Sequence, residues 1–445
     1  MSEKHIFGTD GIRGLAGEFP LTKEIIYLTT KHLSEYMKLK KVLIADDSRE
    51  SSSWIKTVLF NGLNDSGIEG IDIGTIPTPA LAKIVALSDE YDGGIMISAS
   101  HNPAEFNGIK FLNSKGMKLM DNIELEIEKK VLKEIDNFIY REKTGSGKKD
   151  YNQKEIYINF ILSKFDINRE KTKNRGKIII DCSNGATASI AEEVFSAVGY
   201  DTDMINCNPT GFNINKGCGS LYPEKIAKSV IENNAFAGIA FDGDGDRVIM
   251  VDEKGNILDG DILLYILLKH YHENGYNLPL VGTVMSNLAL EKRAKEMGVS
   301  FIRASVGDKY VWEQMIKTDS LIGGETSGHI ILRDYHTTGD GIIVALKILE
   351  ILENSGSTLS NIGKELNLYP QILENIKIKR KIPLDNFKEI KELEEEIKDT
   401  FNGEARTIIR YSGTEPLLRI MVEANDRDKI RNILNKYIKK IKEHL

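Results

Sequence analysis

Cysteine is scarce in this chain of 445 residues: it has three, Cys182, Cys207 and Cys218, and no CxxC spacing. An odd count without paired spacing argues against a disulfide framework or a structural zinc site, and for a reducing compartment. Positive charge is not in excess either. Lys and Arg number 59 against 66 Asp and Glu, a net charge of −7. A nucleic-acid binder needs a basic surface to neutralise phosphates, so no nucleic-acid partner is expected. Long apolar runs are missing. Segments such as "ILLYILL" (262–268) are far too short to span a bilayer, and "MSEKHIFGTDG" at the start lacks the apolar core of a signal peptide. The expectation is a cytoplasmic protein without a membrane partner.

What is present is ordinary for a globular protein, with 41% hydrophobic and 28% charged residues. The length predicts roughly two to four domains with a core that needs no covalent staple. Short apolar runs, "KVLIADD" (41–47), "GIMIS" (94–98), "KIIIDCS" (177–183), "AGIAFD" (237–242) and "SLIGGE" (320–325), read as strands. Helical patterns such as 185–199 and 261–273 lie between them. That alternation predicts parallel or mixed sheets covered by helices. "REKTGSGKKD" (141–150) reads as a linker. Its resemblance to a P-loop fails at Glu142, where Gly is required, and at Lys149, where Ser or Thr is required. Near the end, 384–400 reads as an acidic helix and 430–445 as a basic one. Ile430, Ile433, Leu434, Tyr437, Ile438 and Ile441 fall at helical spacing, which predicts an amphipathic helix packed on a small sheet.

Three stretches share one form. "GIMISASHNP", "GIAFDGDGDR" and "SLIGGETSGH" each run from an apolar strand into a small, polar loop. Related α/β domains would present such loops at the carboxyl ends of their strands, where sites form in open sheets. In the second, Asp242, Asp244 and Asp246 alternate with glycine. Three carboxylates this close repel unless a cation neutralises them, and an all-oxygen set suits a hard divalent ion such as Mg²⁺. An EF-hand loop would need Gly at its sixth position, which here is Arg247. A cation beside a metal site makes sense when an anion is also bound, and phosphate satisfies both.

Ser100 and its neighbour His101 occupy the first corner. Ser100 on its own allows a hydrolase nucleophile, a phosphate carrier or an ordinary loop residue. "FGTDGIRG" (7–14) carries Arg13, and "GGETSGH" (323–329) brings Glu325, Ser327 and His329 to a flexible loop suited to sugar hydroxyls. "RYSGTEPLLR" (410–419) sets Arg410, Ser412, Thr414 and Arg419 around Gly413, the parts of a phosphate cradle. Together these predict phosphoryl transfer on a small phosphosugar. A serine hydrolase fits less well, because no G-x-S-x-G elbow surrounds Ser100 and the Asp loop would be unexplained. A non-catalytic sugar-phosphate or Ca²⁺ binder is the competing class.

The serine, metal, sugar and phosphate motifs, in this order and across nearly the whole chain, resemble the α-D-phosphohexomutase superfamily. "GFNINKGCGSLYPE", "VGDKYV" and "LYPQIL" are similar to its glucosamine branch, from which Thr326 and Tyr411 depart. The resemblance implies three related α/β domains with mixed sheets, plus a smaller C-terminal α+β domain, around a central cleft. The expected boundaries are 1–150 with the phosphoserine loop, 151–256 with the metal loop, 257–368 with the sugar loop and 369–445 with the phosphate cradle. It implies that Ser100 is phosphorylated and that Asp242, Asp244 and Asp246 bind one Mg²⁺ with a phosphoserine oxygen. Glu325 and Ser327 would read the sugar, and Arg410, Ser412, Gly413, Thr414 and Arg419 would hold the non-reacting phosphate. Arg13, Lys110 and Arg247 would neutralise the moving group, with Lys110 or His329 carrying the hydroxyl proton. The implied reaction interconverts glucosamine 6-phosphate and glucosamine 1-phosphate through glucosamine 1,6-bisphosphate, feeding UDP-N-acetylglucosamine and peptidoglycan precursors. Glucose or mannose phosphates are the alternative substrates, and a homodimer is the oligomer to test.

Overall fold

A computed structural model describes residues 6–8, 10–165, 176–378, 382–411 and 416–444. The chain divides into two units. The first holds residues 1–285 and 299–364, and the second 286–298 and 365–445.

The first unit contains three sheets. The first has β1 (Ile12–Leu15), β2 (Lys41–Asp46), β3 (Glu69–Thr75), β4 (Gly93–Ile97), β5 (Phe106–Asn113) and β6 (Lys148–Lys149), in the order β1-β5-β4-β2-β3-β6. The second has β7 (Ile178–Asp181), β8 (Thr202–Ile205), β9 (Ala237–Phe241), β10 (Val248–Val251) and β11 (Ile257–Leu258), in the order β11-β10-β9-β7-β8. The third has β12 (Leu280–Thr283), β13 (Phe301–Ala304), β14 (Ile322–Gly324) and β15 (Ile330–Leu332), in the order β13-β12-β14-β15.

All three follow one plan. A central strand (β2, β7 or β12) pairs in parallel with two neighbours, and one neighbour turns back as an antiparallel hairpin. Those hairpins are β4–β5, β9–β10 and β14–β15. Their connections carry Ser100, the Asp triad and Glu325–His329. The three similar corners in the sequence are therefore one structural position repeated. β4 and β9 are buried at every residue, which is why they read as unbroken apolar runs.

Residues 141–150 are docked rather than free. Lys148–Lys149 extend the first sheet as β6, parallel to β3. Gly147 makes this approach feasible, since a Cβ there would lie 2.0 Å from the Phe60 ring.

The second unit is built on β16 (Gln371–Lys377), β17 (Arg406–Tyr411) and β18 (Leu417–Glu423), all antiparallel in the order β16-β18-β17. The helices Lys388–Thr400 and Arg427–His444 supply Leu393, Ile397, Ile430, Leu434 and Ile441 to its core. The six residues expected at helical spacing in the last helix are all buried. The helix Leu288–Glu296 also belongs to this unit. Its Asn287 cap bonds the backbone of Tyr369, and Glu423 accepts the Leu288 N–H at 2.8 Å. No helix among the described residues is long and apolar enough to cross a membrane.

Candidate active site

β4 delivers the chain into a buried turn at Ser100, whose φ of 51° lies in the left-handed region. A residue with a Cβ is strained there and needs support from its surroundings. Ser98 Oγ accepts the Ser100 N–H at 2.8 Å and donates to Asp47 at 2.6 Å. Ser100 Oγ donates to Asp242 Oδ2 at 2.6 Å and lies 3.3 Å from His101 Nδ1. Burial, then Arg247 and Arg13, bring the His101 pKa down to about 4. Its ring is therefore neutral at pH 7.

The β9–β10 hairpin places Asp242, Asp244 and Asp246 around one point. All three are buried, and their ligand oxygens lie within 4.8 Å of one another. Gly243 is required between them, because a Cβ would sit 2.5 Å from the Ser100 carbonyl oxygen. Burial, with repulsion from Asp246 and Asp244, pushes the Asp242 carboxyl well above the usual carboxylate range. Burial alone would raise Asp246 as well, but Lys110, His329 and Arg247 hold it at about 2. Asp244 Oδ1 and Asp246 Oδ1 are buried with no hydrogen-bond partner among the described residues. Oxygen ligands, crowded negative charge and two orphaned acceptors fit a hard divalent cation such as Mg²⁺.

Cations surround this cluster. Lys110 projects from β5 fully buried, with its ammonium 2.8 Å from Asp244, 2.9 Å from Asp10 and 3.3 Å from Asp246. Burial works against that charge, yet the three carboxylates raise the Lys110 pKa well above the usual lysine value. Arg13, on β1, reaches Asp10 at 3.1 Å. Arg247 Nε lies 3.8 Å from Asp246. Lys118 joins Asp10 at 2.5 Å and also pairs with Asp308. Burial alone would raise the Asp10 carboxyl, but Lys110, Lys118 and Arg13 hold it well below its usual range. His329 Nε2 sits 3.6 Å from Asp308 and 3.9 Å from Asp246. Neither ring nitrogen of His329 has a hydrogen-bond partner among the described residues.

In the β14–β15 connection, Glu325 accepts the Gly307 N–H at 2.8 Å and the Ser327 hydroxyl at 3.2 Å. Thr326 turns away and donates to the buried Asp261 at 2.8 Å. In the second unit, Arg410 and Arg419 stand directly opposite each other across the β17–β18 pair. Residues facing each other in this way share one face of the sheet. Ser412, Gly413 and Thr414 lie outside the described residues.

Four family models match in sequence order. They are phosphoglucomutase/phosphomannomutase alpha/beta/alpha domains I (4–137), II (155–255) and III (259–369), and the C-terminal domain (373–440). The chain belongs to the phosphoglucomutase/phosphomannomutase family. Within this phosphohexomutase superfamily it is 43% identical to a phosphoglucosamine mutase of Thermoanaerobacter pseudethanolicus, covering 96% of each chain. Its fold matches a family protein from Burkholderia thailandensis with a TM-score of 0.79 at 23% identity, covering 100% of this chain and 98% of that one. A second match is the Aspergillus fumigatus N-acetylphosphoglucosamine mutase in complex with GlcNAc-6P and magnesium. That match has a TM-score of 0.61 at 16% identity and covers 90% of this chain and 82% of that one. As a phosphohexomutase, the chain is an isomerase of the intramolecular phosphotransferase type, built as three α/β domains and a C-terminal domain.

Thr326 and Tyr411, the two positions expected to set this chain apart, both have structural partners. Thr326 bonds Asp261, in the first turn of the helix Gly260–Glu273. The Tyr411 hydroxyl donates to the Ile382 carbonyl at 2.6 Å and accepts its N–H at 3.1 Å. The first unit brings together Ser100, His101, Lys110, Arg13, Arg247, His329 and the triad. Sequence reasoning missed Asp10, Lys118 and Asp308, which tie these groups together. Asp10 and Asp308 do stand inside the quoted stretches "FGTDGIRG" and "VGDKYV".

Proposed function

We propose that the chain interconverts glucosamine 6-phosphate and glucosamine 1-phosphate through a phosphoserine at Ser100 and glucosamine 1,6-bisphosphate. The observation that carries this reading is the Ser100 hydroxyl, held 2.6 Å from Asp242 at the edge of a buried triad ringed by cations. The 43% identity to a phosphoglucosamine mutase over nearly the whole chain supports the choice of sugar.

Phosphoserine 100 gives its phosphoryl group to the free sugar hydroxyl. The Ser100–phosphorus bond breaks, the sugar oxygen–phosphorus bond forms, and the sugar hydroxyl proton passes by way of a base to the departing Ser100 oxygen. The 1,6-bisphosphate reorients, the other phosphate returns to Ser100, and the Ser100 hydroxyl proton passes back by way of the base to the departing sugar oxygen. Mg²⁺ held by Asp242, Asp244 and Asp246 would supply charge neutralisation for the phosphoryl oxygens. Arg13, Lys110 and Arg247 supply the rest of the positive charge. Lys110 is held as an ammonium by its three carboxylates and acts as a fixed charge. The proton is assigned to His329, whose ring nitrogens are unpartnered among the described residues. The neutral His101 ring stands beside Ser100 Oγ and helps orient it.

Glu325 and Ser327 are the sugar-reading pair. Arg410 and Arg419 are assigned to the non-reacting phosphate, with Ser412, Gly413 and Thr414. Two guanidinium groups directly opposite on one sheet face suit a dianion. A cytoplasmic enzyme supplying UDP-N-acetylglucosamine and cell-wall precursors fits this chemistry, and light scattering would read whether it is a homodimer.

The test compares kcat/KM on glucosamine, glucose and mannose phosphates, with intact mass read alongside. Glucosamine phosphate should lead, and Ser100→Ala should lose both the bound phosphate and nearly all turnover. A Ser100→Ala enzyme of near-normal activity would sink the phosphoserine scheme. A preference for glucose or mannose phosphate would move the chain to another branch of the family.

A further inference from the structure

The "NINKGCGS" stretch has no role in the chemistry above, yet its Asn215 is buried against the Ser100 turn. Asn215 Nδ2 donates to the Ser100 carbonyl at 2.8 Å and to the Asn102 carbonyl at 3.0 Å. Arg49, from the loop after β2, approaches the same two carbonyls. Its Nη2 donates to Ser100 at 2.9 Å and to Asn102 at 2.8 Å. Each carbonyl oxygen has two lone pairs, and here both are used. Nη1 of Arg49 continues along the turn to the carbonyls of Pro103 and Phe106. The guanidinium is itself held, since its Nε donates to Asp47 at 2.9 Å and both side chains are fully buried.

We propose that Arg49 and Asn215 are positioning residues that clamp the nucleophile turn and thereby set where Ser100 Oγ stands relative to the triad. This rests on the reading of Ser100 as the phosphate carrier. Two features favour it over ordinary loop packing. First, the clamp grips only main-chain carbonyls, so Oγ is left free to gain and lose a phosphoryl group in each turnover. Second, Asn215 stands against both loops that make the key contact. It bonds the Ser100 turn, and a Cβ at Gly243 in the Asp loop would lie 2.9 Å from its Nδ2. Arg49 fixes the turn from the first sheet and Asn215 from the second, so the 2.6 Å contact between Ser100 and Asp242 is set from both sides. The clamp also offsets the strain of a left-handed serine.

Asn215→Asp tests this with almost no change in volume. It replaces the donor with a carboxylate that repels the two carbonyls. Misplacing a reacting group by about 1 Å costs on the order of 100-fold in rate. The expected result is a kcat lower by about 10- to 100-fold, a KM within about threefold and a melting temperature within about 5 °C of wild type. Transfer of phosphate from glucose 1,6-bisphosphate to the dephosphorylated enzyme should slow by the same factor as kcat. Arg49→Lys, which keeps the charge and loses the fork, should show the same split. A kcat within twofold of wild type overturns the proposal. So does a raised KM at unchanged kcat, and so does loss of the fold in Asn215→Asp, which would make the residue structural. If Ser100→Ala is active, the carrier reading fails first. If Ser100→Ala is dead and Asn215→Asp is normal, only the clamp fails.

Discussion

Lys110→Met is the substitution that best separates a fixed charge from a proton carrier. The methionine fills much of the same volume but strands the carboxylates around it. Asp10 keeps Lys118 at 2.5 Å and Arg13 at 3.1 Å, and Asp246 keeps Arg247 at 3.8 Å. Of its side-chain hydrogen bonds among the described residues, Asp244 keeps only that from the neutral Thr78 hydroxyl at 2.5 Å. At least one buried carboxylate thus loses its only direct ion pair among the described residues, and Arg247 acts on it only from further away. Breaking a buried pair in this way costs about 3–5 kcal/mol. The chain has two tryptophans, Trp54 and Trp312, and both lie in the first unit. Urea unfolding followed by tryptophan fluorescence therefore reads the unit that holds the site. In EDTA, Lys110→Met should lose about 3–5 kcal/mol. Saturating Mg²⁺, about 100 times its dissociation constant, stabilises any folded site by about 2.7 kcal/mol. It should stabilise the variant by more than wild type, because the variant carries one more uncompensated charge, so the gap narrows. A loss below about 1 kcal/mol, with one limb of the pH–rate profile of kcat removed, would refute the argument and make Lys110 the proton carrier.

His329→Gln should lower kcat by about 100-fold or more with little change in KM, and remove one limb of the pH–rate profile. Tyr411→Phe removes both bonds to the Ile382 backbone and should cost the second unit about 1–3 kcal/mol, read by hydrogen exchange in β17. Burial, aided by Lys83, brings the His336 pKa down to about 3. Its Nδ1 accepts the Thr337 and Thr338 N–H groups, and its Nε2 donates to Pro79. Below pH ~6.5 the unfolded chain takes up a proton that the folded chain refuses. Wild type should therefore lose stability relative to His336→Gln by about 1.4 kcal/mol per pH unit as pH falls from ~6.5 towards ~3. A pH-independent difference in urea stability between the two would count against it.

The strands that carry the site were legible because they are buried on both faces. All five apolar runs fall on β2, β4, β7, β9 and β14. β5 was harder to read, because Asn107 and Lys110 interrupt its apolar pattern although both are buried. A buried lysine breaks the local rule for a strand, and such breaks concentrate at functional sites. The triad was visible because its members are two residues apart. Lys118 and Asp308 were not visible as a pair, since 190 residues separate them and neither is unusual alone. The docking of 141–150 was hidden for a related reason. A Gly- and Lys-rich stretch reads as linker, and only the open edge of β3 gives it a strand to join.

The placement of Lys110 has a consequence for how the chain is made. Its partners Asp244 and Asp246 follow it by 134 and 136 residues. At roughly 5–20 residues per second, a ribosome needs about 7 to 27 seconds to add them. During that interval the ammonium has only Asp10 to answer it, and Lys118 and Arg13 claim the same carboxylate. Until the second sheet arrives, that ammonium is served by water instead. The burial of Lys110 is therefore a late event, completed only once a part of the chain made well after it has folded against it.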